Sequence, residues 1–290
     1  MKKGKLILAL IILGVFIYSI SLFLKDGQLA RPQLIKVDKT FSSLDETVSN
    51  FLRGTQGTYA VVIKNISTGK GYYLNKDMVF EPGSLYKLWV MGTVYKAMQK
   101  GEIQDDEILT EDIKVLNQKF EIDENSTELT EGEISMSVSD ALNQMITISH
   151  NFAALLLTDR IKNSKIKEFL QTYGFKDSDI GTPPKTTASD IALFYEKLYK
   201  KELINEEYSQ KMIDLLKKQE LNDGLPKYLP KDTVIAHKTG DIGWFKHDGG
   251  IVFTPEGDYI IVVLSESSSP LGAQDRIAQI SKGVYDYFNK

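Results

Sequence analysis

Strand-forming and helix-forming stretches are segregated along this chain, and that distribution limits the folds open to it. Thr58 to Lys64 (TYAVVIK) is β-branched and aromatic, and beyond a turn at Asn65-Ile66-Ser67-Thr68-Gly69 the stretch Gly71 to Leu74 reads as its hairpin partner. Strand patterns return only at Thr233 to His237, Gly249 to Phe253 and Tyr259 to Ser265, the last two joined by the turn Thr254-Pro255-Glu256-Gly257-Asp258. From about residue 84 to 220 the period is helical, in segments such as Leu85 to Lys100, Val138 to Ile148 and Asn151 to Ile161. A helix from about Ser43 to Leu52, with Ser42 or Ser43 as its cap, precedes the first strand, and an amphipathic helix from about Ala273 to Phe288 follows the last. Strands at both ends of a chain find partners by pairing with each other. The pattern therefore predicts an α+β fold: one antiparallel sheet drawn from distant segments, terminal helices on a face, and an inserted helical domain. A groove between sheet and helical domain is the natural ligand site.

The N-terminus is of a different kind. Leu6 to Leu24 is a 19-residue run without charge, long enough at about 1.5 Å per residue to cross a hydrocarbon core of about 30 Å. Lys2, Lys3 and Lys5 precede it, which by the positive-inside rule keeps residues 1–5 in the cytoplasm and places the rest outside. The run ends in Lys25-Asp26-Gly27-Gln28-Leu29-Ala30, a poor cleavage site, so residues 6–24 are expected to be an uncleaved single-pass anchor; secretion after signal cleavage is the alternative. Residues 25–40, with Pro32, read as a tether, and 41–290 as the folded domain. The 35 basic and 39 acidic residues give −4; without the four lysines at positions 2, 3, 5 and 25, 31 remain against 39, about −8 for the exported part. That balance argues against nucleic acid as a partner. The chain has no cysteine, which removes disulfides, thiolate metal sites and lipidated cysteine, and His150, His237 and His247 do not form a metal-ligand spacing. Neither metal nor cofactor is expected.

Three short stretches can carry chemistry. In Glu81-Pro82-Gly83-Ser84-Leu85-Tyr86-Lys87, Pro82 and Gly83 make a turn, so Ser84 falls at the start of the following helix, where free N–H groups favour a developing oxyanion. Lys87 is one helical turn on, and a partly buried amine beside a serine hydroxyl can act as its base. Ser149-His150-Asn151 interrupts two apolar helical segments, and by itself it fits a helix connection in which Ser149 caps the next helix. In Ala236-His237-Lys238-Thr239-Gly240-Asp241, Lys238 and Thr239 end a strand, and Gly240 permits close backbone approach by a ligand. Each stretch alone fits an ordinary structural role: a cap and a solvated lysine, a helix connection, a strand end.

The order and separation of the three change this reading. S-x-x-K, then S-x-N with its serine 65 positions after Ser84, then K-T-G with its lysine 89 positions after Ser149, resembles the signature of the penicillin-recognising serine hydrolases, which include class A β-lactamases and D,D-peptidases. The resemblance covers about residues 41 to 290, and the strand pair before Ser84 and the helices around Ser149 are most similar to the class A β-lactamase domain. It implies a five-stranded antiparallel sheet flanked by N- and C-terminal helices, with an all-helical insertion over about 84–220. It also implies roles: Ser84 the acylated nucleophile, Lys87 its proton acceptor, Ser149 a proton relay to the leaving nitrogen assisted by the field of Lys238, and Asn151 a holder of the substrate's amide side chain. The N–H groups of Ser84 and Asp241 would form the oxyanion hole, beside Gly240, and Lys238 and Thr239 would bind the substrate carboxylate.

One departure bears on mechanism. Class A enzymes carry a glutamate in an E-x-x-L-N loop that positions the deacylating water. The corresponding stretch here, Gly174-Phe175-Lys176-Asp177-Ser178-Asp179-Ile180-Gly181-Thr182-Pro183-Pro184, has no glutamate, and Asp177 or Asp179 could act only with different geometry. His150 stands in the middle of S-x-N where class A has aspartate. His237, preceding Lys238 on a strand, points to the opposite face and is expected to pack; His247, with Trp244 and Phe245, is expected in the loop after K-T-G. Acylation by β-lactams is expected to survive, with fast hydrolysis of the acyl-enzyme in question. The leading expectation is a class A-type β-lactamase acting on β-lactam amides. A D,D-carboxypeptidase acting on D-Ala-D-Ala cell-wall peptides, or a penicillin-binding sensor that is acylated once, are the alternatives.

Overall fold

A computed structural model describes residues 43–290, apart from Glu124 and Ser126. The expected cytoplasmic stretch 1–5, membrane anchor 6–24 and tether 25–40 lie outside the described residues. Among the described residues no helix is long and apolar enough to cross a membrane.

The described residues open with α1 (Leu44–Leu52), whose cap is Ser43: its Oγ accepts from Glu46 N at 3.1 Å. Strands β1 (Thr58–Asn65) and β2 (Gly71–Leu74) form the expected hairpin, with Val62 opposite Tyr73. The other sheet strands come from the far end of the chain: β7 (Val234–Ile242), β8 (Phe245–Phe253) and β9 (Tyr259–Glu266). Their order is β2-β1-β9-β8-β7, antiparallel throughout, with β1 and β9 joined through pairs such as Val62 with Val262. The sheet thus has five strands built from both ends of the sequence, and β7 is one of its edges.

Both faces of the central strands are buried, as their near-continuous apolar sequences require. Ala60, Val62, Ile260, Val262 and Leu264 join one core with the helical region. The alternate positions Val61, Ile63, Ile261 and Val263 are buried on the other face. The terminal helices α1 and α9 (Pro270–Phe288) pack together, and α9 lies on β8 and β9.

The helical region runs through α2 (Lys87–Gln99), α3 (Ile113–Lys119), α4 (Val138–Thr147), α5 (Asn151–Ile161), α6 (Asn163–Tyr173), α7 (Ala188–Tyr199) and α8 (Glu206–Leu216). Its centre is α2, in which Lys87 to Val94 are all buried; each large apolar side chain so placed contributes about 1.5–3 kcal/mol. Two short strand pairings are not legible in the sequence. Strand β3 (Val79–Phe80) pairs with β6 (Thr186–Thr187), and β4 (Ile108–Asp112) with β5 (Glu133–Ser137). The β3–β6 pair ties the end of the 174–187 loop to the segment leading into Ser84.

The sequence set two boundaries too short. Strand β7 does not end at His237 or Thr239 but continues to Ile242, and β8 begins at Phe245, four residues before Gly249. The polar stretch Lys238-Thr239-Gly240-Asp241 holds its extended form because each residue has a partner on β8, from Lys238 with Gly249 to Ile242 with Phe245. Phe245 and His247 are therefore strand residues, and only Gly243 and Trp244 lie in the turn.

Candidate active site

Ser84 sits in a 3-10 turn, Gly83–Tyr86, that leads directly into α2. Gly83 has φ +48, the left-handed region that favours glycine, and a Cβ there would lie 2.8 Å from the backbone nitrogen of Asp241. On the strand side, a Cβ on Gly240 would lie 2.5 Å from Pro82 O and 2.9 Å from Leu85 Cγ. The two glycines let the Ser84 turn press against β7, which brings the Asp241 amide beside the residue preceding Ser84. Gly240 thus serves close packing of the turn against β7.

Lys87 begins α2 with its side chain wholly buried. Its Nζ donates to Ser149 O at 2.5 Å, to Ser149 Oγ at 3.1 Å and to Asn151 Oδ1 at 2.7 Å; none of the three is Ser84. Three acceptors match the three N–H bonds of an ammonium. Burial pushes the amine down to about 7, partly offset by Glu128. On losing a proton, Lys87 releases one acceptor and gains a lone pair, which the hydroxyl one turn away can use.

The α4–α5 connection supplies Ser149, at φ +59. A non-glycine residue in that region costs on the order of 1–3 kcal/mol, and such strain gathers at functional sites. Here it turns both Ser149 O and Oγ toward Lys87. His150, not Ser149, caps α5: its Nδ1 accepts from Ala153 N at 3.1 Å, so the ring is spent on the backbone and is no partner for Ser149. Asn151 gives its Oδ1 to Lys87 while its Nδ2 donates to Glu128 Oε1 at 2.7 Å.

Lys238 reaches the same hydroxyl from the sheet. Wholly buried, it donates to Ser149 Oγ at 3.1 Å and to Thr239 O at 2.9 Å. Burial and then the positive charge of Lys87 push it down to about 7, against the pull of Asp248. Ser149 Oγ therefore stands between two buried amines. Thr239 is half-buried beside them, and Asp241 is exposed, its carboxylate paired with Lys246.

The other histidines have roles the sequence did not give them. His247 is buried rather than in a loop; its Nδ1 accepts from Ser265 N at 3.1 Å, so Nε2 carries the proton and donates to Glu81 O at 2.8 Å. Burial lowers it to about 4. A neutral imidazole thus ties the segment leading into Ser84 to β8. His237 points away from Lys238's face as strand parity requires, but it does more than pack: its Nδ1 meets the buried Asp248 Oδ1 at 2.9 Å and its Nε2 meets Oδ1 of the exposed Asn222 at 3.2 Å. Glu128 was not found from sequence. It lies in a polar, glutamate-rich stretch without periodicity, and only the tertiary fold brings it to Asn151.

The 174–187 loop is held from inside by Asp190 of α7, whose Oδ2 accepts from Asp177 N at 2.9 Å and Ser178 Oγ at 2.8 Å. Asp177 is exposed, and Asp179 lies 3.7 Å from Lys167 of α6. Glu168 is exposed and bonded to Lys165, the solvated face its helical position suggests. Among the described residues no group of three or more His, Cys, Asp or Glu side chains could hold a metal ion.

Comparisons with known proteins agree with this architecture. The β-lactamase VEB-1 of Pseudomonas aeruginosa is 25% identical over 275 residues, covering 83% of this chain and 89% of that protein. Among solved structures, a β-lactamase from Sphaerobacter thermophilus matches with a TM-score of 0.76 at 22% identity, over 86% of this chain and 97% of that one. PBP-A matches with a TM-score of 0.74 at 24% identity, over 87% and 97%. At such identities these structures establish the fold, which is that of β-lactamases and penicillin-binding proteins. The family described as the β-lactamase enzyme family matches residues 43–288, nearly every described residue, and the chain belongs to that family.

Proposed function

We propose that this protein is an active-site serine hydrolase of the class A β-lactamase type that forms an acyl-enzyme at Ser84 with β-lactams. The observation that carries the reading is Ser149 Oγ placed 3.1 Å from each of two buried lysines, beside the turn that holds Ser84. Ser84 Oγ attacks the lactam carbonyl carbon as its proton passes to the neutral amine of Lys87. The oxyanion is met by the N–H groups of Ser84 and Asp241, each such donor being worth about 3–4 kcal/mol in well-studied hydrolases. When the C–N bond breaks, the nitrogen takes the proton of Ser149 Oγ, and the Lys87 ammonium, already bonded to that oxygen, replaces it. Lys238 and Thr239 hold the substrate carboxylate, and Asn151 meets its amide side chain.

Release of the acyl group needs a base near the ester. The 174–187 loop offers only Asp177, facing solvent, and Asp179, beside Lys167. That arrangement favours, as a second reading, a D,D-carboxypeptidase whose acyl-enzyme with β-lactams is long-lived, or a sensor that is acylated once. In either case Leu6 to Leu24 is proposed to hold the domain at the outer face of the cell membrane, which fractionation of cells expressing the full chain would test.

Incubating the protein with a chromogenic cephalosporin while following both absorbance and intact mass separates the outcomes. Sustained turnover supports the lactamase; a stoichiometric adduct without turnover supports the second reading, and release of D-Ala from a peptide then selects the peptidase. No adduct and no turnover would sink both.

A further inference from the structure

The two ends of the Asn151 side chain face opposite charges. Its Oδ1 accepts from Lys87 Nζ at 2.7 Å, and its Nδ2 donates to Glu128 Oε1 at 2.7 Å. An ammonium only donates and a carboxylate only accepts, so these neighbours fix which way the amide points. Ser149 Oγ, 3.1 Å from both Lys87 and Lys238, extends the network, which runs Lys238, Ser149, Lys87, Asn151, Glu128. It has buried amines at one end and an exposed carboxylate at the other. The lysine end is where the substrate's carboxylate is proposed to bind; the reaction as derived above gives the glutamate end no part.

Glu128 is held in this place from both sides. Thr127 Oγ1 shares its proton between Asn117 Oδ1 at 3.3 Å and Leu129 O at 2.9 Å, and Asn117 Nδ2 donates to Leu129 O at 2.9 Å. Asn117 is a buried residue of α3, so the residues flanking Glu128 are tied to each other and to the helical region. Among the described residues no lysine or arginine forms an ion pair with the Glu128 carboxylate. An amide nitrogen carries two hydrogens. One of those on Asn151 goes to Glu128, and the other is left for the substrate's amide oxygen, which Asn151 is proposed to meet. Two acceptors on the hydrogens of one nitrogen stand about 5 Å apart at ordinary hydrogen-bond lengths. A group on the carbon next to the substrate's carbonyl lies about 3 Å from that oxygen by covalent geometry, so it can bridge the gap to the carboxylate.

We infer that Glu128 is a specificity-determining residue: it favours substrates whose acyl side chain carries an ammonium on the carbon next to the amide carbonyl, and disfavours those with a carboxylate there. The inference rests on the proposed acyl-serine reaction and deepens it by naming the class of side chain that the site selects. An ammonium at that carbon gains a charge-assisted hydrogen bond to Glu128. A carboxylate in the same place meets a like charge and competes with Glu128 for the Asn151 amide. Because Glu128 is exposed, the selection is worth up to about fivefold in rate per unit of substrate charge.

Three penicillins that differ only at this carbon serve as probes: ampicillin with an ammonium, benzylpenicillin with hydrogen and carbenicillin with a carboxylate. The rate of adduct formation with each is followed by intact mass at about pH 6.5, where an α-amine is charged, in the wild type, Glu128→Gln and Glu128→Lys. The ratio of the ampicillin rate to the carbenicillin rate is expected to fall by about three- to tenfold in Glu128→Gln and further in Glu128→Lys, with benzylpenicillin between them as the neutral reference. Ratios within one protein cancel whatever all three penicillins feel alike, such as a change at Lys87 or a shift of the loop. A ratio that moves less than about twofold in both variants, the mark of a merely structural role, would overturn the inference and leave the acyl-enzyme standing. Absence of an adduct with all three in the wild type would instead defeat the functional reading, and the inference with it.

Discussion

The proposed acylation centre and the 174–187 loop meet at the β3–β6 pair, yet they are organised in opposite senses. At the centre, polar atoms turn inward: two lysines are wholly buried, and each spends its donors on Ser149 and its neighbours. At the loop, the buried Asp190 of α7 is consumed in holding the loop's Asp177 N and Ser178 Oγ, and Asp177 and Asp179 face solvent or Lys167. A site can thus be fully furnished for forming an ester and sparsely furnished for hydrolysing it. Desolvation makes this difference chemical, because it lowers an amine at the centre to about 7.

Perturbing the centre is expected to have the largest effects. Ser84→Ala abolishes the adduct, and Lys87→Met slows its formation by about 10²–10⁴-fold, the usual worth of a positioned base, measured by intact mass against time. Because Lys87 acts only after losing its proton, the wild-type rate is expected to rise as pH passes through about 7. Gly240→Ala strikes the contact between β7 and the nucleophile turn. It is expected to cost about 1–3 kcal/mol in denaturant unfolding and up to about 100-fold in acylation rate.

His247 links pH to stability at the same contact. Its folded pKa, about 4, lies below the unfolded value near 6.5, so between these values the unfolded chain binds a proton that the folded one does not. Stability is therefore lost as pH falls through that window, on the order of 3 kcal/mol in all, and His247→Gln is expected to flatten the fall in a thermal melt series. Smaller still, Glu128→Gln removes a charge that supports protonated Lys87, and the acid limb of acylation is expected to move down by less than one unit. Asp179→Asn is the control for the loop: the lifetime of the acyl-enzyme is expected to change less than about twofold. A tenfold change would show that the loop does hold the deacylating base and would erase the contrast drawn above.

Where local patterning sets an element, the sequence was a reliable guide. Strand β1, with its run of β-branched residues, and helices α4 and α5, with clear helical period, lie within a residue or so of expectation. Patterning failed where a tertiary partner imposes the conformation. Phe245-Lys246-His247-Asp248 has the composition of a loop, but register with β7 on one side and β9 on the other makes it a strand. The motif residues were legible as a set, and the fold brings Lys87, Ser149, Asn151 and Lys238 into direct contact. What escaped was their charge environment. Glu128, which bonds Asn151 beside Lys87, is separated from both in sequence and stands in no motif and at no helical or strand spacing that points to it.

The most direct test is to expose the wild-type protein to penicillin G, quench it at short times, and locate the adduct by peptide mass. One acyl group on the peptide containing Ser84, absent from Ser84→Ala, is the expected result. An adduct on any other residue, or cephalosporin turnover that persists in Ser84→Ala, would contradict an acyl-enzyme at this serine.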